Sequence, residues 1–341
     1  MSSHTQPTVL TGIQPSGVPT LGNYLGFFKP ALSFQATHQA YYFIVDHHAI
    51  TARQSPTELL ANTREIAAWY LAAGLNPTQA TLFVQSHVRA HVELGWILTT
   101  FTQMGELERM TQYKDKSAQH EGKDTGINVG LFSYPVLQSA DILLYHATEV
   151  PVGDDQKQHV ELCRDIALRF NNHYGTNTFT VPKHSIPPHG ARVRDLQDPT
   201  KKMSKSRPGL GCVLLTDTPA EVEKKFKRAV TDSDTGEVAI RYAPEEKPGV
   251  ANLLEIIAGC QGITPQAVAT QLQGQQYGTL KAAAADAVNA LLQPLQAKKA
   301  EWLGDTAKLD TVLREGAQKA EPVANATLAR VKGAMGYLPK L

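Results

Sequence analysis

Strand, helix and strand follow one another between residues 41 and 85, and no other feature restricts the possible folds of this chain so strongly. Tyr41-Tyr42-Phe43-Ile44-Val45 is a continuous apolar run of strand length. Ser55-Pro56-Thr57-Glu58 is a capping box with proline at the first helical position. Apolar side chains at 59, 60, 66, 67, 70 and 71, with a threonine at 63, then repeat at helical spacing until Gly74. Thr81-Leu82-Phe83-Val84-Gln85 is a second apolar run. Runs that are apolar throughout belong to strands covered on both faces, and a helix between two of them makes a parallel crossover. The expected class is therefore α/β, with a doubly wound parallel sheet.

Thr8–Ile13 and Val150-Pro151-Val152 read as further strands of that sheet. A length of 341 residues suits two domains and a large core, and 42% hydrophobic against 19% charged residues argues against disorder. Pro182 to Pro188 reads as a linker, Thr218-Pro219-Ala220-Glu221 is another capping box, and from Asn252 onward the pattern is helical with breaks at Gly262, Gly278, Pro294, Gly304 and Pro322. The division expected is a catalytic domain over 1–215 and a smaller all-helical domain over 216–341. Net charge is +1, so a polyanionic partner would have to be met by a local surface; nine Lys/Arg against six Asp/Glu from Lys281 to Leu341 permit one. Cys163, Cys212 and Cys260 are odd in number and form no Cys-x-x-Cys pair, which argues against a disulfide framework or thiolate zinc site. No apolar run reaches membrane-spanning length and Met1 to Pro7 is too polar for a signal peptide, so a cytoplasmic protein is expected.

The residues that carry chemistry lie at strand ends and in one lysine cluster. Lys201-Lys202-Met203-Ser204-Lys205-Ser206 presents ammonium groups and hydroxyls suited to a polyphosphate, although such a cluster alone is equally a solvated basic loop. Gln14-Pro15-Ser16-Gly17-Val18-Pro19 is a turn after the first strand, and Thr20 caps a helix through Leu21, Gly22 and Asn23. Free backbone N–H groups there suit an anion, with glycines at 12, 17 and 22 allowing close approach. Asp46-His47-His48 ends the second strand, where consecutive side chains face opposite ways and at most one histidine is expected in a site. His87 and His91 are four apart and could share a helix face; without a zincin glutamate after the first, they read as surface or structural. Lys114 and Lys116 precede a polar stretch, Ser117 to Gly130, expected to be a mobile loop. After Pro135, a helix would place Tyr134, Gln138 and Asp141 on one face, either as a solvent-facing stripe or as a ligand-binding set. Gly153-Asp154-Asp155-Gln156 follows a strand and could take a ribose or base, or be a simple turn. A helix follows through His159, Leu162, Ile166 and Phe170, and Arg192-Val193-Arg194-Asp195-Leu196 leads into the lysine cluster.

These segments together resemble the class I aminoacyl-tRNA synthetases, most closely their bacterial tryptophanyl branch. Thr20-Leu21-Gly22-Asn23 looks like the variant His-Ile-Gly-His signature and Lys202-Met203-Ser204-Lys205-Ser206 is the KMSKS signature. Gly12–Gly17, Asp46–Thr51, Gly105–Gln112, Val152–His159 and Ala229–Ser233 are similar to further family segments, so the likeness spans nearly the whole chain. The resemblance implies a Rossmann-like catalytic domain and a helical anticodon-binding domain. It implies an enzyme that activates L-tryptophan with ATP and Mg²⁺ and passes the aminoacyl group to tRNA(Trp). It also implies a homodimer with its interface around 115–150, and no protein-bound metal. By it, Lys202, Lys205, Thr20 and Asn23 serve catalysis. Gln14, Pro15, Ser16, Gly22, Asn23, Gly153, Asp154, Asp155, Val193, Lys116 and the Lys202, Met203, Ser204, Lys205, Ser206 loop bind ATP. Asp141 would accept the indole N–H, Tyr134 and Gln156 hold the amino-acid end, and His48 borders the pocket. Gln138 stands where the tryptophanyl branch usually carries methionine, and Tyr134, Gln138 and Asp141 together also resemble the tyrosyl branch. A non-catalytic synthetase-like paralogue and a small nucleotidyltransferase are the other readings, opposed respectively by the intact lysine loop and by the helical C-terminal third.

Overall fold

A computed structural model describes residues 6–120, 127–153, 156–185, 192–205 and 209–339, with the backbone alone for 116–120 and 184–185. Five parallel strands form one sheet in the order β3-β2-β1-β4-β5: β1 Thr8–Ile13, β2 Gln39–Ile44, β3 Thr81–Val84, β4 Glu149–Pro151 and β5 Lys183–Ser185. β1 pairs with β2 from Thr8↔Gln39 to Ile13↔Ile44, and β2 with β3 from Tyr41↔Thr81 to Ile44↔Val84, so three strand ends lie in one row. The sheet is the doubly wound α/β sheet expected from the apolar runs.

Alternation along each strand divides the core in two. Val9, Tyr42, Ile44, Leu82 and Val84 pack on one face with Phe28, Trp69 and Tyr70, and this core continues into the helical region through Leu254, Val288 and Leu309. Leu10, Tyr41, Phe43 and Phe83 face the other way, onto helices Ala90–Thr99, Val129–Leu144 and Lys157–Tyr174. Ser55 and Thr218 cap their helices as the sequence implies.

Several local expectations are corrected. Lys183–Ser185, inside the expected linker, is an edge strand; three residues are too short to show a period. Part of the expected loop after Lys116 is helical, because Thr111–His120 runs on past Ser117 and the next helix begins at Val129, capped by Asn128. That helix passes through Pro135 rather than starting after it. Likewise Tyr277–Gly304 contains Gly278 and Pro294, and Thr306–Met335 contains Pro322. Both of these prolines lie on exposed faces, where water can satisfy the carbonyl left without an N–H partner. The last long helix begins in the helical region and returns to the sheet, covering edge strand β3. Gly316 allows the contact, since a Cβ there would lie 1.7 Å from the Leu82 carbonyl oxygen. Further along, the Thr327 hydroxyl donates to the Leu144 carbonyl at 2.8 Å. No helix among the described residues is long and apolar enough to cross a membrane.

Candidate active site

Both signature segments meet above the carboxyl ends of the strands. β1 runs into the Gln14–Pro19 turn, whose Gly17 adopts φ 92°, a conformation that excludes most side chains. Thr20 then caps the helix that follows, with Asn23 N–H donating to Thr20 Oγ1 at 3.1 Å and Thr20 N–H donating to Asn23 Oδ1 at 2.9 Å. The carboxamide that completes the cap thus belongs to a signature residue, and Asn23 itself is exposed. Gly22 is buried beneath a second layer: a Cβ on it would touch Val193 and Met203, each at 3.5 Å. Val193 and Met203 lie on the two arms of a hairpin, joined by Met203 N–H to Val193 O at 3.2 Å.

From that hairpin, Lys205 reaches back over the turn. Its ammonium donates to the Ser16 carbonyl and, at 3.0 Å, to Ser16 Oγ. Desolvation lowers its pKa from the ordinary lysine value. Lys202 is exposed one bridge away, paired through the backbone with Arg194, while Lys201 is tied to Asp198 at 2.8 Å. Gln14, Ser16 and Gly153 are exposed beside these groups or at the neighbouring strand end, and Pro15 is buried. Gly12 has a packing role as well. A Cβ there would lie 2.8 Å from Val45 and 2.9 Å from Phe43, so the sheet itself requires a glycine at this position. Asp154, Asp155, Ser206 and the Lys116 side chain lie outside the described residues.

The second half of the site is a buried carboxylate. Asp141, on helix Val129–Leu144, is 2% exposed. His91 Nδ1 approaches its Oδ1 at 2.6 Å, His48 Nε2 its Oδ2 at 2.9 Å, and Gln85 Nε2 lies 2.8 Å and 3.0 Å from the two oxygens. A carboxylate offers about four lone-pair sites, so these four contacts fill it. Burial alone would push the Asp141 pKa up. The hydrogen bonds from His48 and His91 outweigh burial and hold it well below the usual carboxylate range. His91 Nε2 meets the Tyr145 hydroxyl at 2.9 Å, so a neutral His91 can donate to Asp141 while accepting from Tyr145. Alongside, Tyr134 Oη lies 3.3 Å from His159 Nε2, and His159 Nδ1 lies 2.9 Å from Gln156 Oε1. The rings of Tyr134 and His48 meet edge to face at 6.1 Å. Gln138 is half-buried on the same helix and has no side-chain hydrogen bond among the described residues.

The structure therefore brings together Asp141, His48, Tyr134 and Gln156, with Gln138 on the same helix, and separately Ser16, Gly22, Asn23, Val193, Met203 and Lys205. One histidine of the Asp46-His47-His48 run enters the carboxylate site, as expected, although the run forms a short helix, Asp46–Ala49, rather than a strand. His87 and His91, read as surface or structural, lie in different elements: His87 is exposed in a 3₁₀ turn and His91 is wholly buried, bonded to Asp141. Gln85, His91 and Tyr145 are buried members of this network that the sequence pattern does not mark as neighbours of Asp141. Gln85 carried a usable signal, being the polar residue at the carboxyl end of β3. His91 carried only its apolar neighbours Ala90, Val92 and Leu94.

A parallel α/β sheet with two signature segments meeting over its strand ends defines a nucleotide-dependent activating enzyme of the class I synthetase type. The family model for tRNA synthetases class I (W and Y) matches residues 2–293, and the chain belongs to that family. It is 49% identical over 333 residues to the tryptophan–tRNA ligase of Enterococcus faecalis, covering 96% of this chain and 97% of that one. Among solved structures, the tryptophanyl-tRNA synthetase of Mycoplasma pneumoniae superposes with a TM-score of 0.87 at 36% identity over 98% of both chains. That of Campylobacter jejuni, complexed with ADP and tryptophan, gives 0.81 at 35% identity, covering 96% of this chain and 99% of that one.

Proposed function

We propose that the protein is a tryptophan–tRNA ligase, which activates L-tryptophan with MgATP and transfers the aminoacyl group to tRNA(Trp). The observation that carries this reading is the meeting of the Lys205 ammonium with the Ser16 turn, together with the buried, hydrogen-bonded carboxylate of Asp141. ATP lies over Gln14, Pro15, Ser16, Gly22 and Asn23, with its adenosine side toward Gly153, Asp154, Asp155 and Val193. A tryptophan carboxylate oxygen attacks the α-phosphorus, forming an O–P bond as the bond to the bridging oxygen of pyrophosphate breaks. Lys202 and Lys205, with Lys116 on the pyrophosphate side, offset the charge that grows on the leaving group; no protein nucleophile is needed. The terminal adenosine of tRNA then takes the aminoacyl group.

Tryptophan's indole N–H goes to Asp141. Because four contacts from three donor groups already fill the carboxylate, one must give way. His48, on the short helix Asp46–Ala49 and 5% exposed, is better placed to do so than His91 or Gln85, both at 0%. A ring without that donor would leave the carboxylate unpaired, which is a strong basis for rejection. Tyr134, Gln156 and the uncommitted Gln138 face the amino-acid end, Gln138 taking the α-amino group.

The helical part over 216–341 serves the anticodon arm, and the enzyme works in the cytoplasm as a homodimer. The exposed large apolar side chains Trp96, Met104, Val129 and Ile50 support the dimer, since an association would cover such surface. Charging of total tRNA with labelled tryptophan tests the proposal. Incorporation of tryptophan but not tyrosine is the expected result, and stable incorporation of tyrosine alone would sink it.

A further inference from the structure

On the hairpin bearing the lysine signature, one residue facing the lysines is held from the helical side of the molecule by a buried carboxamide. Arg194 and Lys202 face each other across its two arms, flanked by Asp195 N–H to Lys201 O at 2.9 Å and Met203 N–H to Val193 O at 3.2 Å. In an antiparallel pair of this kind the facing residues do not bond to each other, and their own N–H and C=O point outward. Asn252 takes both groups on Arg194: Arg194 N–H donates to Asn252 Oδ1 at 2.8 Å, and Asn252 Nδ2 donates to Arg194 O at 3.1 Å. Asn252 is 2% exposed, so this side chain does for Arg194 what a third strand would do.

Asn252 lies on helix Pro248–Gln261, which is itself fixed to the helical region. At its start the buried Lys247 ammonium sits 2.9 Å from Asp232, 2.7 Å from Asp234 and 3.1 Å from the Tyr277 hydroxyl, at the head of helix Tyr277–Gly304. Gly249 packs so closely on Val230 that a Cβ would lie 2.2 Å from its carbonyl oxygen, and Val230 N–H donates back to Leu196 O at 2.8 Å.

We infer that Asn252 is a positioning residue for the lysine loop: by fixing the Arg194 peptide it sets the Val193–Met203 layer over Gly22, and with it the placement of Lys202 and Lys205. The inference rests on the reading of those lysines as phosphate ligands. It makes Asn252 a joint through which a movement of the helical region reaches the ATP site and bypasses the amino-acid pocket.

The test is ATP–pyrophosphate exchange by the full chain carrying Asn252→Ala, with Lys205→Ala alongside and labelled-tryptophan binding measured by equilibrium dialysis. A small misplacement of charged groups is enough to lower exchange roughly 10- to 100-fold through the ATP constants. The expected result is such a loss in Asn252→Ala, with its tryptophan Kd unchanged. Impairment in Lys205→Ala with wild-type ATP constants in Asn252→Ala overturns the positioning role. A silent Lys205→Ala overturns the phosphate reading, and this inference with it. A parallel loss of tryptophan binding and of ATP use in Asn252→Ala marks a merely structural asparagine and also overturns the inference. If Asn252→Ala does not fold, Asn252→Ser, which keeps a hydrogen-bonding hydroxyl, is judged by the same three comparisons.

Discussion

Replacing His91 by phenylalanine isolates the polar part of the carboxylate site from its packing. His91 is wholly buried, with its ring 5.7 Å from Phe43 and 5.9 Å from Phe83, so a phenyl ring suits the surroundings. What is lost is the 2.6 Å bond to Asp141 and the 2.9 Å contact with Tyr145. A hydrogen bond to a charged group is worth about 1.5–3 kcal/mol, and a buried hydroxyl left without a partner costs about 1–3 kcal/mol. His91→Phe should therefore lower unfolding free energy by roughly 3–5 kcal/mol, the range expected when one partner of a buried charged pair is removed. Urea denaturation near neutral pH measures this directly. Tyr145→Phe added to His91→Phe removes the orphaned hydroxyl, so the double variant should be about 1 kcal/mol or more stabler than the single one. A loss below about 1 kcal/mol in His91→Phe, or no recovery in the double variant, would refute the view that Asp141 depends on these donors.

Further outcomes follow from the same geometry. The Asp141 pKa is lowered in the fold, so its contribution to stability is complete above the unfolded value of about 3.9 and is lost as pH falls below it toward the native value. The stability advantage of wild type over Asp141→Asn, read from thermal unfolding, should thus be constant near neutrality and shrink only in acid; a constant difference down to about pH 3 would count against the paired carboxylate. If His48 gives up its place on Asp141 to the indole, His48→Ala should bind tryptophan at least as tightly as wild type, whereas a clear rise in Kd would make His48 a ligand contact. Gly316→Val should destabilise strongly without altering the tryptophan KM of the folded enzyme, since its neighbour is the rigid Leu82 carbonyl rather than a flexible side chain.

The sheet was legible because its strands are buried on both faces: Tyr41–Val45 and Thr81–Gln85 are apolar throughout, and the helix between them carries its own cap and stop. Lys183–Ser185 was not legible, because an edge strand of three residues held by β4 alone leaves no pattern. Proline and glycine misled where helices are long. Pro135, Pro294 and Pro322 each remove one backbone donor, but tertiary packing on both sides carries the helix past them. In the candidate site, residues at strand ends and in signatures could be read one by one. The donors around Asp141 could not, because Gln85, His91 and Tyr145 come from separate elements and meet only in the fold. Asn252 shows the same limit, its partner lying 58 residues away along the chain.

Whether the protein activates tryptophan through Asp141 is read from ATP–pyrophosphate exchange, supplied with tryptophan or tyrosine separately and repeated with Asp141→Ala. Exchange with tryptophan alone is expected, and its loss in Asp141→Ala. Exchange driven by tyrosine, or by neither amino acid, would contradict it.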